Sequence, residues 1–232
     1  MRREKTSVSQ EDYLKAIWEI IQEEQVPISA RLAEELGVTP PAVTAALKRM
    51  TRDGYLRVAR GGRIVLSPKG RDVAEHLVLR HRLAEKLLTE VIGLEWTRAH
   101  EEAERLEHGI SPEVEELLLK RFGAGSRCPH GVPLFGGLAK LRRRNGAVRL
   151  AEIEPGAAVE ILRVYEKDEK FLQFLSGLQL RPGAHAQVLE REYDETMTLL
   201  VSPAGGSARA GKPQRIHLGK PATSRIWVRR LS

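Results

Sequence analysis

Residues 30–66, ARLAEELGVTPPAVTAALKRMTRDGYLRVARGGRIVL, decide the fold of the N-terminal part of the chain. The first predicted helix in this stretch ends at Gly37, which is a suitable C-cap. Thr39 can N-cap the next helix, and a proline in the first turn of that helix has no helical hydrogen bond to lose. Two helices joined by so tight a turn predict a helix-turn-helix.

The segment after this pair of helices predicts a β-hairpin. Asp53-Gly54 closes the second helix, and the β-prone residues 55–59 and 63–66 flank a glycine-rich tip at 60–62. A further amphipathic helix is predicted ahead of the pair, over residues 10–24, because apolar side chains recur there at 3.6-residue spacing. Three helices followed by a hairpin make a winged helix-turn-helix.

The second helix of the pair presents a polar and basic outer face. Val43, Leu47 and Met50 are spaced to face its own core, and the opposite face fits a major groove about 12 Å wide. The residues predicted to contact DNA are Arg31, Thr39, Pro41, Ala42, Thr44, Lys48, Arg49, Arg52 and Arg63. Because this face has no Asn or Gln for bidentate base contacts, we expect specificity from shape, methyl contacts and paired half-sites. The alternative is a solvated face on a module that binds protein.

The composition permits a nucleic-acid partner without establishing one. The 232 residues include 38 Lys+Arg and 31 Asp+Glu, for a formal charge of +7, and ordinary solvated surfaces also reach such a balance. The single cysteine, Cys128, excludes an intrachain disulfide and a multi-cysteine zinc site. No apolar run approaches the ~20 residues needed to cross a bilayer, and the charged N-terminus has no signal-peptide core. We therefore expect a cytoplasmic protein without a membrane partner.

The fold class predicted for the whole chain is α+β. After the winged helix-turn-helix DNA-binding domain at residues 1–71, helical spacing predicts an all-helical domain at 72–123 that buries its apolar stripes across a two-fold axis. Glycine, proline and a basic cluster predict a linker at 124–147. Short strands at 148–232 predict a small β-barrel of the SH3 type.

Two helical stripes carry potential metal ligands. His81 and Glu85 are four residues apart and therefore share one face of a helix. The second stripe follows helical spacing in the same way and consists of His100, Glu104, Glu107 and His108. Nitrogen and oxygen ligands of this kind suit one or two divalent cations, although a charged stripe is more often the solvated face of a helix. The His-Glu-x-x-His arrangement of zinc peptidases is missing.

Taken in order, the winged helix, the segment His81–Leu88 and the segment His100–His108 resemble the diphtheria-toxin-repressor family of metal-dependent regulators. Glu11-Asp12-Tyr13-Leu14 and Cys128-Pro129-His130-Gly131 add to this resemblance, which covers residues 1 to about 135 closely and the barrel loosely. The resemblance implies a homodimeric, metal-activated transcriptional regulator that binds a double-stranded DNA operator. It also implies that the protein is not an enzyme and takes no small organic substrate.

The resemblance assigns the metal ligands residue by residue. The primary regulatory site of the family falls on Asp12, Glu104, Glu107 and His108. Its ancillary site falls on His81, Glu85 and His100 and is completed by a carboxylate from the barrel. For that carboxylate we expect Asp168, with Glu166 and Glu169 as alternatives.

Departures from the family pattern indicate which metal is bound. Iron-responsive members have methionine and cysteine where this chain has Asp12 and Glu104, and hard oxygen donors suit Mn²⁺. The chain therefore resembles the manganese-sensing branch, with Mn²⁺ as the expected cofactor and Fe²⁺ as the alternative. Lys15 stands where short manganese regulators have a carboxylate of a binuclear cluster, so we expect no closely spaced binuclear site.

The anion-binding pocket of the family is only partly kept. Arg82 matches it, but Cys128 and Val132 occupy its other two positions. We expect Cys128 to be a linker residue rather than a metal ligand.

The predicted function is that of a metal-dependent repressor of metal-uptake genes. A cation that bridges Asp12 on the first helix to ligands in the helical domain would fix the orientation of each recognition helix. An iron-responsive regulator of the same family is the nearest alternative. A metal-dependent hydrolase with Glu102 or Glu107 as general base is a weaker one, because no nucleophile or substrate-binding loop is evident. A scaffold whose barrel binds a peptide is the third.

Overall fold

The computed structural model describes residues 7–202 and 213–231, which begin with three short helices. These helices are α1 (Val8–Gln22), α2 (Ser29–Leu36) and α3 (Pro40–Arg52). Ser7 begins α1 with a capping box, in which its hydroxyl accepts from the backbone N–H of Gln10. Gly37 ends α2 in the left-handed conformation with φ of 61°, as its position predicts. Thr39 occupies the N-cap position of α3, but its side chain makes no capping hydrogen bond there.

A short hairpin forms the wing. Strands β1 (Leu56–Val58) and β2 (Ile64–Leu66) pair antiparallel and are shorter than the sequence predicts. The reason is that the tip residues Arg60–Gly62 form a 3₁₀ turn, in which two glycines with positive φ end the pairing. The three helices and the wing enclose one apolar core, with Leu14, Ile17, Leu32, Val43, Met50 and Ile64 at its centre.

Helix α4 (Pro68–Lys86) connects the wing to the helical domain. It continues into a π-helical turn at Leu87–Ile92, and α5 (Ala99–Leu106) and α6 (Pro112–Phe122) pack against it. Helix α1 packs against α4 as well, so α4 is the element that both parts share. None of the helices in the described residues is long and apolar enough to cross a membrane.

The segment predicted as a linker is more ordered than its composition indicates. It contains helix α7 (Leu138–Asn145), and Leu134, Leu138 and Leu141 in it are buried. Its few apolar residues are irregularly spaced among glycines, prolines and arginines, so no helical period is visible in the sequence. Its buried leucines pack into neighbouring parts of the chain, Leu134 with the helical domain and Leu141 with Leu162 of the C-terminal domain, and the linker bounds of 124–147 stay a prediction.

The C-terminal domain is a small mixed unit built on six antiparallel strands. The strands are β3 (Val148–Arg149), β4 (Ala158–Val164), β5 (His185–Arg191), β6 (Met197–Ser202), β7 (Gln214–Leu218) and β8 (Ile226–Arg230), with α8 (Glu169–Gly177) and α9 (Lys220–Thr223) between them. Their order in the sheet is β3-β8-β4-β5-β6-β7. In the described residues the two ends of this sheet are not paired with each other, so the small-β prediction is confirmed but the sheet is not a closed barrel.

Ion pairs connect this domain to the DNA-binding domain. Lys167, after β4, reaches Glu19 on α1 at 2.7 Å and also pairs with Glu35 on α2. The buried Arg163 on β4 lies 2.6 Å from Glu23 just beyond the end of α1. These three ion pairs hold the β-domain against the first two helices.

Gly131 allows the segment after α6 to cross β4 at very short range. Its φ of +91° favours glycine, and a Cβ atom there would collide with the backbone carbonyl of Leu162. Gly125 in the same segment has no heavy atom near the corresponding position and no positive φ.

We expect Gly131→Ala to lower the free energy of unfolding by about 1–3 kcal/mol, because the backbone must move to relieve the collision. Thermal unfolding should show a melting temperature several degrees lower. Gly125→Ala is the matched control and should unfold close to the wild-type temperature. Equal melting temperatures for the two variants would contradict the close approach.

Candidate metal centres and nucleic-acid interface

The recognition helix α3 presents the face that the sequence predicts. Val43, Leu47 and Met50 are buried. The predicted DNA contacts on or before α3 are all exposed and comprise Thr39, Pro41, Ala42, Thr44, Lys48, Arg49 and Arg52. Arg63 on the wing is exposed too, whereas Arg31 is half-buried and donates to the carbonyl of Val26. The structure thus provides an exposed basic surface, and contact of these residues with DNA stays a prediction.

Three groups of side chains bring potential metal ligands together where α1, α4, α5 and the segment after α6 meet. Within each group the ligand atoms lie within 4.8 Å of one another. We call them the Asp12 group (Asp12, Glu107 and His108), the His81 group (His81, His100 and Glu104) and the Glu85 group (Glu85, Cys128 and His130).

The Asp12 group joins α1 to the turn that follows α5. Nε2 of His108 lies 2.9 Å from Oδ1 of Asp12 and 3.8 Å from Oε1 of Glu107. Nδ1 of His108 lies 2.9 Å from a carboxylate oxygen of Glu11, which can accept its proton and orient the ring. In the neutral imidazole the lone pair of Nε2 then faces another acceptor, an arrangement that a cation between them would satisfy. Two carboxylates and one imidazole form a hard donor set that fits a divalent ion such as Mn²⁺.

The metal-free Asp12 group is electrostatically unfavourable. Burial raises the pKa of Asp12, and the neighbouring Glu107 carboxylate raises it further, while His108 opposes both. Glu107 itself is completely buried. A cation in this group would therefore relieve a cost that the folded chain otherwise carries.

The His81 group surrounds a buried lysine. Nζ of Lys15 lies 2.7 Å from Oε1 of Glu104, 2.7 Å from Oε2 of Glu107 and 3.1 Å from Nδ1 of His81. Burial lowers the pKa of Lys15, but the carboxylates of Glu19, Glu107 and Glu104 outweigh it and hold that pKa above its ordinary value. The structure therefore places Glu104, predicted as a ligand beside Asp12, against Lys15 and the two histidines.

The Glu85 group contains two residues that the sequence did not assign as ligands. Glu85, Cys128 and His130 are all buried, and Oε1 of Glu85 lies 3.0 Å from Nδ1 of His130. Nε2 of His130 donates to the carbonyl of Trp96 at 2.9 Å, which leaves Nδ1 as the free ring nitrogen. The contact of this buried Nδ1 with Glu85 is an ion-pair contact that lacks hydrogen-bond geometry. A ring nitrogen held in this way beside a carboxylate and a thiol fits a cation, and here the donor set includes sulfur.

The Glu85 and His81 groups are contiguous. Oε1 of Glu85 lies 3.2 Å from Nε2 of His81 and 3.4 Å from Nδ1 of His100. The predicted ancillary set of His81, Glu85 and His100 is thus brought together by the fold. Burial and Lys15 oppose a proton on His81, but Glu85 and Glu107 outweigh them and raise the pKa of His81 to about 9.

The barrel carboxylate chosen for the ancillary site lies elsewhere. Asp168 caps α8 by accepting from the N–H of Phe171 at 3.0 Å, and it pairs with Arg225 at 2.8 Å. The structure does not bring it to any of the three groups found among the described residues. The alternative Glu166 is not in these groups either and pairs with Arg163 at 3.4 Å. Glu169 instead accepts from Gln173 on its own helix.

The guanidinium of Arg82 is occupied by backbone carbonyls and is not free to bind an anion. It is buried and donates to three backbone carbonyls, those of Pro133, Leu134 and Gly136. It therefore holds the segment after α6 against α4. Cys128 and His130 lie in a tight turn, in which the N–H of Gly131 donates to the carbonyl of Cys128 at 2.9 Å. The turn brings both side chains to Glu85, and the only signal in the sequence was the Cys128-Pro129-His130-Gly131 motif itself.

We expect the Cys128 thiol of the metal-free protein to react very slowly with a thiol reagent at pH 8, because burial and nearby carboxylates disfavour the thiolate. Absorbance of the released product measures the rate, and the same protein in denaturant, where the thiol is exposed, is the control. Reaction of the folded protein at the denatured rate would show that Cys128 is not buried beside Glu85.

Comparisons with known proteins match the whole architecture. Residues 5–62 match a family described as the iron dependent repressor, N-terminal DNA binding domain. Residues 67–136 match its metal binding and dimerisation domain, and residues 148–230 match the FeoA domain. These assignments confirm the predicted α+β fold and the order of its domains.

Individual relatives agree with these families. The chain is 35% identical over 199 residues to the diphtheria toxin repressor of Corynebacterium diphtheriae, covering 81% of this chain and 87% of that protein. It is 39% identical over 158 residues to the iron-dependent repressor IdeR of Mycobacterium tuberculosis, covering 66% and 69%. A manganese-dependent transcriptional repressor in complex with manganese is structurally similar, with a TM-score of 0.79, 27% identity and coverage of 96% and 100%. The chain belongs to the diphtheria toxin repressor family, whose members are metal-dependent DNA-binding transcriptional repressors and not enzymes.

Proposed function

We propose that this chain is a manganese-dependent repressor of metal-uptake genes, in which an ion bound by the Asp12 group couples the metal supply to operator binding. The single observation that carries this proposal is the position of Asp12. It lies on α1 of the DNA-binding domain, while Glu107 and His108 lie in the metal binding and dimerisation domain, and the ligand atoms of all three lie within 4.8 Å.

The packing of the helices supports a route from this group to the recognition helix. Helix α1 packs against α2, and α2 packs against α3, so the orientation of α1 determines that of the recognition helix. In a homodimer two such helices must match the spacing of successive major grooves. A divalent ion supplies the positive charge that Asp12, Glu107 and His108 lack and stabilises the one domain orientation in which they meet.

The choice of metal follows from the donor atoms. Asp12, Glu107 and His108 offer oxygen and imidazole nitrogen, a hard set suited to Mn²⁺ and without the sulfur that softer ions prefer. The Glu85 group is proposed as a second ion site, with His81 and His100 beside it. Fe²⁺ is the second candidate, because the Cys128 sulfur softens that group and the mycobacterial relative is named as iron-dependent.

We expect Asp12→Ala and His108→Ala to abolish metal-stimulated binding to DNA from the protein's own upstream region. Removing either ligand leaves an incomplete site that cannot join α1 to α5, so the affinity gain on adding Mn²⁺ should fall at least tenfold. Fluorescence anisotropy with Mn²⁺, anaerobic Fe²⁺ and excess chelator, at one fixed salt concentration, measures the effect.

Glu101→Gln is the matched control, because Glu101 is an exposed acid on α5 that pairs only with Arg105 among the ion pairs of the described residues. It should keep the wild-type response to metal. Wild-type binding that is equally tight in chelator would overturn the proposal that metal controls the protein. A stronger response to Fe²⁺ than to Mn²⁺ would favour the alternative, an iron-responsive regulator of the same family.

We also expect Lys48→Ala and Arg49→Ala to weaken DNA binding nearly equally for different sequences, since exposed cations on this face would contact phosphates. Each should reduce the slope of log affinity against log salt by about one. Arg230→Ala is the control. It removes the same charge from an exposed position on β8, outside the predicted DNA-binding face, and should leave the salt slope unchanged. An identical slope for all three variants would place the DNA elsewhere.

A further inference from the structure

Lys15 is a buried cation in the middle of the ligand groups. It lies on α1, only 4% of its surface is exposed, and its ammonium contacts Glu104 and both carboxylate oxygens of Glu107 at 2.7–2.9 Å. These are the lengths of charged hydrogen bonds. A long, flexible lysine loses side-chain entropy and hydration on burial, so its retention here requires strong compensating contacts.

The partners of this ammonium are atoms that a metal ion would otherwise take. Glu104, Glu107 and His81 offer two carboxylates and one ring nitrogen, the same types of donor that make up the Asp12 group. Glu107 belongs to both, since its Oε1 is 2.9 Å from Lys15 and 3.8 Å from Nε2 of His108. Two cationic positions therefore lie side by side, and a side chain of the protein fills one of them.

We propose that the ammonium of Lys15 is a built-in cation that replaces one metal ion between Glu104, Glu107 and His81. It holds α1 against α5 in the metal-free protein and leaves the Asp12 group as the one position beside Glu107 that an exchangeable ion takes, apart from the second ion site proposed at the Glu85 group. This inference rests on the proposed metal site but adds to it. In this inference the contacts of Lys15 join α1 to α5 whether or not metal is bound, and the ion at the Asp12 group adds a second, metal-dependent connection.

Charge explains why one fixed cation is needed at this position. Glu104 and Glu107 approach α1 from the α5 side. Glu107 is entirely buried and the Glu104 side chain is 44% exposed, so without a cation a buried carboxylate would lie next to a second carboxylate at the edge of the solvent-excluded region. A lysine on α1 supplies that cation at every metal concentration, and no chelator removes it. The metal-free chain thus keeps one connection between α1 and α5 while the Asp12 group stays open.

Counting bound ions tests the proposal directly. Mn²⁺ per chain is measured by equilibrium dialysis and elemental analysis for the wild type, Lys15→Arg, Lys15→Met and Lys15→Glu. Lys15→Met and Lys15→Glu should each bind one more ion per chain than the wild type, and Lys15→Arg should bind the wild-type number. The matched controls are Lys86→Met and Lys86→Glu. They change another buried lysine, at the end of α4, which pairs with Glu90 in the π-helical turn that follows.

Thermal unfolding gives a second, independent measurement. In chelator Lys15→Met should melt several degrees below the wild type, and saturating Mn²⁺ should raise its melting temperature by more than it raises that of the wild type. Folding of a Lys15 variant only in the presence of Mn²⁺ would also support the proposal, because the ion then replaces the ammonium.

Three results would overturn the inference, and a fourth would separate it from the function on which it rests. An unchanged ion count in both Lys15→Met and Lys15→Glu overturns it, as does a gain that the Lys86 variants share. Failure of both Lys15 variants to fold even in saturating Mn²⁺ overturns it as well, since no ion then substitutes for the ammonium. A wild type that binds no Mn²⁺ would instead refute the proposed metal-dependent function.

Discussion

The arrangement of this protein depends on the cost of burying carboxylates between α1 and the helical domain. Glu85 and Glu107 are completely buried, and Asp12 and Glu104 lie at the edge of the same region. Burying a carboxylate requires a positive partner or a proton, because no water is available to solvate its charge. Beside these four carboxylates the chain supplies Lys15 and four histidines. Under the proposed function, a divalent ion among these groups would make the contact between the domains responsive to metal.

The β-domain extends the same electrostatic pattern to the other end of α1. Glu19 follows Lys15 by one helical turn and pairs with Lys167, which also contacts Glu35 on α2. Arg163 pairs with Glu23 a further turn along. Carboxylates along α1 therefore meet the helical domain at its N-terminal half and the β-domain at its C-terminal end. The first helix is the element on which the positions of all three domains converge.

The sequence predicted the architecture well because each domain carries a strong local signal. Helical spacing identified α1 and α3, Gly37 marked a left-handed cap, and the glycine tip at residues 60–62 marked the wing. Short alternating strands identified the β-domain, although strand signals do not show whether a sheet closes. Helix α7 was missed because its three arginines leave too few apolar residues to show a period.

The sequence predicted most residues of the candidate site but not how they divide into groups. Helical spacing and the family resemblance together selected His81, Glu85, His100, Glu104, Glu107 and His108, since residues one turn apart share a face. Which of them meet each other depends on tertiary packing, and for that reason Glu104 lies beside Lys15 rather than Asp12. Cys128 and His130 were not assigned as ligands because they lie in a tight turn beside α4, where side chains follow no periodic pattern. Asp168 was preferred for its position in sequence, whereas its carboxylate is used to begin α8.

Helix α4 connects the ligand groups to the wing of the DNA-binding domain. It runs for 19 residues, from Pro68 beside the wing to Lys86, and carries His81 and Glu85 near its far end. Its length is therefore about 28 Å, and a tilt of about 3° at the ligand end displaces the wing end by about 1.5 Å. Gly70 lies so close to the backbone of Tyr55 that the wing follows α4 as one body. If an ion at the proposed sites tilted the ligand end of α4 by this small angle, the helix would carry to the wing a displacement comparable to half a hydrogen-bond length.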